Sequence, residues 1–179
     1  MPQDMISRLG CGHAPLCEYG MTNNLLNQPD DEHYMRLAMR QAMDAFEDGE
    51  VPVGAVAVRD GVVIARARNQ VETLKDATAH AEMIALTQCA AAVGDWRLND
   101  VVLYVTKEPC AMCAGGMVNS RLGRLVFGAS DTKYGAAGGA LNVTGFPGAL
   151  HQVKVKAGVL ADECAEILRR FFQDRRKAS

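Results

Sequence analysis

The sequence predicts one α/β domain, built as a three-layer α/β/α sandwich around a mixed central sheet. From Asp31 onward, apolar residues recur at helical spacing in some segments and form short β-branched runs in others, in the order α-β-β-α-β-α-β-β-α. The chain has 179 residues, of which 49% are hydrophobic and 22% are charged, as in ordinary globular proteins. This composition excludes a disordered chain, a collagen-like repeat and a small disulfide scaffold.

The first half of the domain is predicted to hold a helix, a β-hairpin and a second helix. The apolar residues of the first helix recur at helical spacing and are expected to face the core: Met35, Met39, Ala42, Met43 and Phe46. Two β-branched runs, 53–58 and 62–65, flank Asp60-Gly61, a pair typical of tight hairpin turns. A polar loop then leads to a helix over residues 79–93.

The second half alternates strands and helices. Its segments are, in order, a strand at 101–106, a helix from Pro109 to about Arg121, a strand at 125–128, a Gly- and Ala-rich loop at 135–140, a strand at 152–156 and a helix at 162–176. The net charge of −2 does not indicate a nucleic-acid binder, but residues 165–179 carry five basic and two acidic side chains. Such a segment either binds phosphate groups through its positive charge or is simply the solvent-exposed end of a helix.

Residues 1–30 are polar and lack periodicity, so we expect a flexible N-terminal extension followed by one folded domain over 31–179. Cys11, His13 and Cys17 lie in this extension without a fourth metal ligand, which weakens a metal-site interpretation there. No apolar run approaches ~18 residues and no signal segment is visible, so we expect a cytoplasmic protein without a membrane span. Its cysteines are then expected to be reduced.

Two short motifs hold the residues that indicate chemistry: T-A-H-A-E at 78–82 and P-C-A-M-C at 109–113. Cys110 and Cys113 are three residues apart on a predicted helix, so they share one face and can bind one metal ion. The positive end of that helix favours thiolates, the form that binds metal. His80, at the start of the preceding helix, supplies a third ligand.

Glu82 distinguishes a catalytic metal site from a structural one. Cys89 and Cys164 have the pattern of small core residues, so no fourth protein ligand is evident and one zinc position is left for water. Zinc lowers the pKa of such a water toward about 7, and a carboxylate within reach can move its proton. The arrangement suits hydrolytic attack on an sp² carbon that carries an amine.

The combination of H-x-E with P-C-x-x-C is the known signature of zinc deaminases. From about Asp31 to Arg176 the chain resembles the cytidine/deoxycytidylate deaminase superfamily and, more narrowly, the bacterial tRNA-specific adenosine deaminases. Beyond the metal motif, the matching stretches are VPVGA at 51–55, DATAHAE at 76–82, LYVTKEPCAMCAG at 103–115, VFG at 126–128, KYGAAG at 133–138, GVLADEC at 158–164 and FF at 171–172. Free-base deaminases share the zinc core but not these loops.

The resemblance implies a cytidine deaminase-like fold and a homodimer that binds one Zn²⁺ per subunit. It implies hydrolysis of adenosine to inosine at the wobble position of a tRNA anticodon stem-loop, by attack of zinc-activated water on C6. His80, Cys110 and Cys113 would hold the zinc, and Glu82 would shuttle the proton. By matching position, the residues that would contact the nucleotide or its neighbours are Asn69, Pro52, Val53, Gly54, Ala81, Asp131, Lys133, Phe171, Phe172 and Arg175. Read without the resemblance, the C-terminal segment is an amphipathic helix with one phenylalanine in the core.

Three positions depart from the family pattern. Asn119 stands where histidine is frequent, Lys107 where an apolar residue is usual, and Asn142 where aspartate is common. These departures bear on fine substrate preference rather than on the chemistry. Glu108 offers a second acid, but its place beside Pro109 favours a structural role at the start of the helix.

Two other functions remain open from the residues. A free nucleobase or nucleoside deaminase, acting on guanine or cytosine, would use the same zinc chemistry without needing a basic C-terminal helix. A zinc-stabilised binding module would need no carboxylate at Glu82.

Overall fold

The computed structural model describes residues 30–178, so the predicted extension and its Cys11, His13 and Cys17 lie outside the described residues, except for Asp30. The helices are α1 (Asp31–Glu47), α2 (Val71–Leu74), α3 (Ala81–Val93), α4 (Ala111–Asn119) and α5 (Ala161–Ala178). The strands are β1 (Gly54–Arg59), β2 (Val62–Arg68), β3 (Val101–Lys107), β4 (Arg124–Ala129) and β5 (Lys154–Lys156).

The five strands form one mixed sheet in the order β2-β1-β3-β4-β5. β1 runs antiparallel to β2 and β3, whereas β3, β4 and β5 run parallel to one another. Asp60 and Gly61 join β1 to β2, and their φ angles of 50° and 77° are those that a two-residue hairpin turn requires. The predicted mixed sheet and its hairpin are thereby confirmed.

Helices cover both faces of the sheet, which confirms the three-layer sandwich. On one face α1 and α5 pack on alternate residues of the central strands, and the buried side of α1 consists of Tyr34, Met35, Ala38, Ala42 and Ala45. On the other face α3 and α4 enclose the larger core, with Cys89 and Cys113 among its buried residues. A Cβ at Gly54 would collide with the backbone of α1, so glycine permits the close contact of helix and sheet.

Several boundaries differ from the prediction. α3 and α4 each begin two residues later than expected, because His80 and Cys110 have extended backbones and cap these helices. The one-turn helix α2 was not predicted, since four residues carry no periodic signal. The last strand is only three residues long and is exposed. Within residues 30–178, no helix is both long and apolar enough to cross a bilayer.

Candidate active site

Three metal-ligating side chains meet beyond the carboxyl end of β3. Sγ of Cys110 lies 3.7 Å from Sγ of Cys113 and 3.7 Å from Nδ1 of His80, and Sγ of Cys113 lies 3.4 Å from the same nitrogen. A tetrahedral zinc ion with bonds of about 2.3 Å to sulfur and about 2.0 Å to nitrogen holds its ligands roughly 3.5–3.8 Å apart. The triangle therefore fits zinc. No fourth His, Cys, Asp or Glu joins it within the part of the chain that the structure describes.

The starts of two helices position these ligands. His80 caps α3 and Cys110 caps α4, while Cys113 lies in the first turn of α4. The prediction that both cysteines lie inside one helix was wrong at Cys110, since Cys110 has the extended backbone of an N-cap residue and the helix begins at Ala111. Both helix N-termini point at the site, and their partial positive charge favours anionic ligands.

The two cysteines cannot both ionise easily on their own. Hydrogen bonds from the Cys113 thiol and from His80 lower the pKa of the Cys110 thiol to about 3. The bond to Cys110 raises the pKa of the Cys113 thiol well above its usual range, and burial raises it further. The bond to Cys110 also raises the pKa of His80. Two adjacent thiolates thus need a cation between them, which is the donor chemistry of a zinc site.

Glu82 lies in the first turn of α3, two residues after His80, and is 4% exposed. Burial raises the pKa of its carboxyl. This effect is offset only in part by three groups that lower the pKa, namely its own backbone N–H, the charge of His80 and the Cys113 thiol. A carboxyl whose pKa is raised above its usual range holds a proton more readily than an exposed one, and it can accept and return that proton. This is the property that the predicted proton shuttle needs.

The metal-ligating triangle opens onto a cavity of about 330 Å³, in the size range of small-molecule sites. Three valines give it apolar walls: Val51, Val53 and Val71. Polar and charged side chains line the remainder: Glu50, Asn69, Glu72, His80, Glu82, Lys107, Glu108 and Cys110. A flat heterocycle would find apolar faces and polar edges here.

Asn69 lies on the cavity wall as predicted for a nucleotide contact, and it is buried. Its Nδ2 donates a hydrogen bond of 3.2 Å to Oε2 of Glu50. Glu50 is itself 1% exposed, and it also accepts bonds from the backbone N–H groups of Glu72 and Thr73. Burial would raise the pKa of Glu50, but these donors outweigh burial and lower it.

Glu108 fastens the Gly- and Ala-rich loop to the cavity. Its carboxylate accepts hydrogen bonds from the backbone N–H groups of Asp131, Ala137 and Gly139 at 2.8, 3.0 and 2.8 Å. With its acceptor sites occupied, Glu108 has the structural role expected of it, although it holds residues 131–139 rather than the start of α4. A side chain at Gly139 would collide with this carboxylate, so the loop needs glycine there.

Lys107 and Asp131 form an ion pair at the cavity. Burial opposes ionisation of Asp131, but hydrogen bonds from Lys107 and from the backbone N–H groups of Tyr134 and Lys133 lower its pKa to about 2. The lysine that departs from the family pattern therefore supports Asp131, one of the predicted nucleotide contacts. Lys133 itself is exposed, with Nζ 5.0 Å from the centre of the Tyr134 ring.

The other predicted contacts divide by position. Val53 lines the cavity, whereas Pro52, Gly54 and Ala81 are buried beside it and do not belong to its lining. The expected contribution of 52–54 to the wall is thus carried by Val53 and by the unpredicted Val51.

The C-terminal helix separates its two phenylalanines. Phe171 is 5% exposed and packs edge-on against Phe46, with ring centres 5.5 Å apart, so its ring anchors α5 to α1. The prediction that Phe171 contacts RNA directly is therefore corrected, because its ring is packed in the core. Phe172 is 45% exposed. Nη2 of Arg175 donates a 2.7 Å bond to the carbonyl oxygen of Gly49, which ties the end of α5 to the segment before Glu50.

Comparison with known proteins decides the family. Residues 29–176 match the family described as MafB19-like deaminases. A tRNA-specific adenosine deaminase of Bacillus subtilis (strain 168) is 48% identical over 147 residues, covering 82% of this chain and 91% of that protein. The chain belongs to the tRNA-specific adenosine deaminase family. The family predicted from the two metal motifs and their surrounding loops is thereby confirmed.

Two solved structures place the fold within this family's wider group. One, from a study of A-to-I editing by tRNA:A34 deaminases at the wobble position of transfer RNA, has a TM-score of 0.71 and 45% identity, covering 76% of this chain and 99% of that one. The other, a guanine deaminase of Bacillus subtilis, has a TM-score of 0.56 and 28% identity, covering 83% and 95%. The tRNA-specific adenosine deaminase is the more similar of these two.

Sequence reasoning missed Glu50 and the α2 wall of the cavity. Glu50 follows the end of α1 in an acidic stretch and has no partner nearby in sequence, since Asn69 and Thr73 lie 19 and 23 residues away. The one available signal was a carboxylate directly before the apolar run that becomes β1.

Proposed function

We propose that this chain deaminates the wobble adenosine of a tRNA anticodon to inosine. The observation that carries the proposal is the buried Glu82 carboxyl beside the His80, Cys110 and Cys113 triangle at the end of a nucleobase-sized cavity. The relative from Bacillus subtilis is a tRNA-specific adenosine deaminase, which supports this substrate over others that the same chemistry serves.

His80, Cys110 and Cys113 would hold one zinc ion. When bound, zinc lowers the pKa of a water molecule so that hydroxide is available at neutral pH. Glu82 would take one proton from the attacking water and deliver it to N1 of the purine as the water oxygen bonds to C6. Glu82 would then take the remaining proton from the hydroxyl at C6 and pass it to the exocyclic amine. The C6–N bond breaks, the amine leaves as ammonia, and the C6 oxygen becomes the carbonyl of inosine.

The walls of the cavity bind and orient the base. Val53 and Val51 would contact the purine faces, and the Asn69 amide would hydrogen-bond the flipped nucleotide. Asp131 and Lys133, at the loop fastened by Glu108, would contact neighbouring anticodon nucleotides. Exposed Phe172 offers a ring for stacking on an unpaired base, a common mode of recognition of single-stranded RNA.

A guanine deaminase is the alternative that shares this fold. The similarity to the guanine deaminase structure is lower in both TM-score and identity than the similarity to the tRNA deaminase structure. The basic end of α5, with Arg175, Arg176 and Lys177 in its last turn, also favours a polyanionic substrate over a free base. A purely structural zinc module is disfavoured, because a structural zinc site does not need the buried carboxyl of Glu82 beside its ligands.

We further propose a homodimer acting in the cytoplasm, where a bacterial tRNA is found. The large apolar side chains of Leu141 and Phe146 are exposed beside α4. They border an apolar groove of about 410 Å³. Leu150, 80% exposed, lies in the same connection between β4 and β5. A second copy of the chain would cover these side chains. Light scattering of the purified protein tests this, and a monomer at micromolar concentration would contradict it.

Inosine formation in an anticodon stem-loop with adenosine at the wobble position tests the substrate. Free guanine, cytosine, adenine and adenosine are assayed alongside, together with a matched stem-loop in which the adenosine is moved one nucleotide along. We expect inosine in the first stem-loop alone. Ammonia release from a free base, with the stem-loop unchanged, would retain the chemistry and overturn the substrate.

A further inference from the structure

Glu50 is a buried carboxylate on the cavity wall that the proposed reaction does not use. It lies between α1 and β1, and its burial is stabilised by three donors. Oε1 accepts a bond of 2.7 Å from the backbone N–H of Thr73, and Oε2 accepts bonds of 3.2 Å from that of Glu72 and from Nδ2 of Asn69. A buried charge with this many partners is held in one place, because each lost bond leaves a desolvated group.

The bond to Glu50 decides the orientation of the Asn69 amide. An ionised carboxylate only accepts hydrogen bonds, so the nitrogen end of the amide must face Glu50. A half-turn of the amide would place its carbonyl oxygen against the carboxylate and replace an attraction with a repulsion. Among residues 30–178, no donor lies within hydrogen-bond distance of that carbonyl oxygen, so it is left for a molecule in the cavity that Asn69 lines.

The same carboxylate holds the adjoining wall. Its bonds to the backbone of Glu72 and Thr73 fix the turn of α2, and Val71 and Glu72 of this turn also line the cavity. If this were its only role, Glu50 would act on the fold and its contact with Asn69 would be incidental. A purely structural role and a role in orienting Asn69 differ in one respect. Only in the second does the effect of Glu50 on the reaction require the side chain of Asn69.

We propose that Glu50 is a positioning residue that sets which end of the Asn69 amide faces the substrate, and thereby the hydrogen-bond pattern that the cavity presents to the nucleotide. The inference rests on the proposed function, since it takes Asn69 to contact the substrate. Glutamine at position 50 keeps the size of the side chain but can donate as well as accept. It therefore no longer distinguishes the two ends of the Asn69 amide.

A double-mutant cycle on kcat/KM for the anticodon stem-loop tests the proposal. Glu50→Gln is expected to lower kcat/KM roughly tenfold when Asn69 is present, the size expected for one hydrogen bond to a charged group. In an Asn69→Ala background the same change should lower kcat/KM less than about twofold. Equal losses in the two backgrounds would overturn the proposal, because a purely structural role does not depend on Asn69.

Asp48→Asn is the matched control. Asp48 also precedes β1 and also accepts a bond, from Nε of Arg68 at 2.8 Å, but its side chain is 45% exposed and does not line the cavity. We expect its kcat/KM and zinc content to equal those of the unmodified protein. A wild-type protein that forms no inosine would refute the proposed function, whereas an active wild type with an additive cycle would refute the role of Glu50 alone.

A second measurement needs no change at Glu50. The side-chain amide of Asn69, assigned by its loss in the Asn69→Ala variant, is followed by ¹⁵N-resolved hydrogen exchange in the unmodified zinc-loaded protein. A proton bonded to a buried carboxylate should exchange at least tenfold more slowly than the exposed side-chain amide of Asn99. Equal exchange rates would overturn the proposal even if Glu50→Gln fails to fold.

Discussion

Two glutamates that line one cavity show how burial and hydrogen bonding together decide the chemistry of a carboxyl group. Glu82 and Glu50 are both almost completely buried, and both line the same cavity. The pKa of Glu82 is raised, because burial is opposed only weakly. The pKa of Glu50 is lowered, because backbone and side-chain hydrogen-bond donors stabilise its ionised form.

The opposite pKa shifts suggest different roles for the two carboxyl groups. Glu82 is suited to transferring a proton, whereas Glu50 is suited to holding the cavity wall in place. Glu82 stands beside the metal-ligating side chains, so we call this group the metal side: His80, Glu82, Cys110 and Cys113. Glu50 and Glu108 form the support side. Glu50 accepts hydrogen bonds from α2 and from the Asn69 side chain, and Glu108 accepts them from the loop at 131–139. Both carboxyl groups have little contact with solvent, but Glu82 lies deeper and has fewer donors, so the pKa of Glu82 is raised while that of Glu50 is lowered.

The largest expected effect comes from removing a ligand on the metal side. Cys113→Ala should abolish both zinc binding and inosine formation, since the triangle then offers only two ligands. Metal content by atomic absorption and inosine by chromatography measure the two losses. Cys89→Ala is the matched control, as it removes another buried thiol of the same core and should cost stability while zinc and activity remain. Retained zinc in Cys113→Ala would contradict the ligand assignment.

Removing the carboxyl of the metal side is expected to be nearly as damaging but to leave the metal in place. Glu82→Ala should lower kcat roughly 10³-fold, within the range for loss of a general acid–base group. Zinc content should stay at one per chain, because the three ligands are untouched. Loss of zinc together with activity would show that Glu82 supports the metal instead of moving the proton.

On the support side, Glu108→Gln should act on binding more than on chemistry. Its side-chain nitrogen cannot accept the N–H groups that the carboxylate now accepts, so residues 131–139 should loosen, at a cost of about 1–3 kcal/mol. We expect KM for the stem-loop to rise about fivefold with zinc content unchanged. Hydrogen exchange of the Ala137 and Gly139 amides should quicken, and unaltered exchange would refute the fastening role.

The smallest expected effect is a pH dependence at the loop. The pKa of Asp131 is lowered to about 2 in the folded protein, so its contribution to stability is full above its unfolded pKa of about 3.8. This contribution is lost as the pH falls through that range toward 2. Urea unfolding at pH 6 and at pH 3 should show a smaller gap between wild type and Asp131→Asn at the lower pH. A gap that widens on acidification would contradict the lowered pKa.

Local patterns were enough to predict the alternating elements, the hairpin at Asp60-Gly61 and the three residues that the fold brings together as a possible metal site. These features depend on neighbours in sequence, through apolar periodicity, turn chemistry and the spacing of cysteines along the chain. Phe171 and Phe172 show the limit of such patterns. They are adjacent and chemically identical, and only packing against Phe46 decides which one is buried.

What the sequence determined by itself is the order of the elements, and what it predicted is a candidate site at His80, Glu82, Cys110 and Cys113, which the fold brings together. The tertiary structure alone decided which buried carboxyl groups accept several hydrogen bonds and which do not. Glu50 meets Asn69 and Thr73, and Glu108 meets Gly139, across 19 to 31 residues of chain. Hydrogen bonds over such separations leave no periodic signal, because the fold, and not the local backbone, brings their donors and acceptors together.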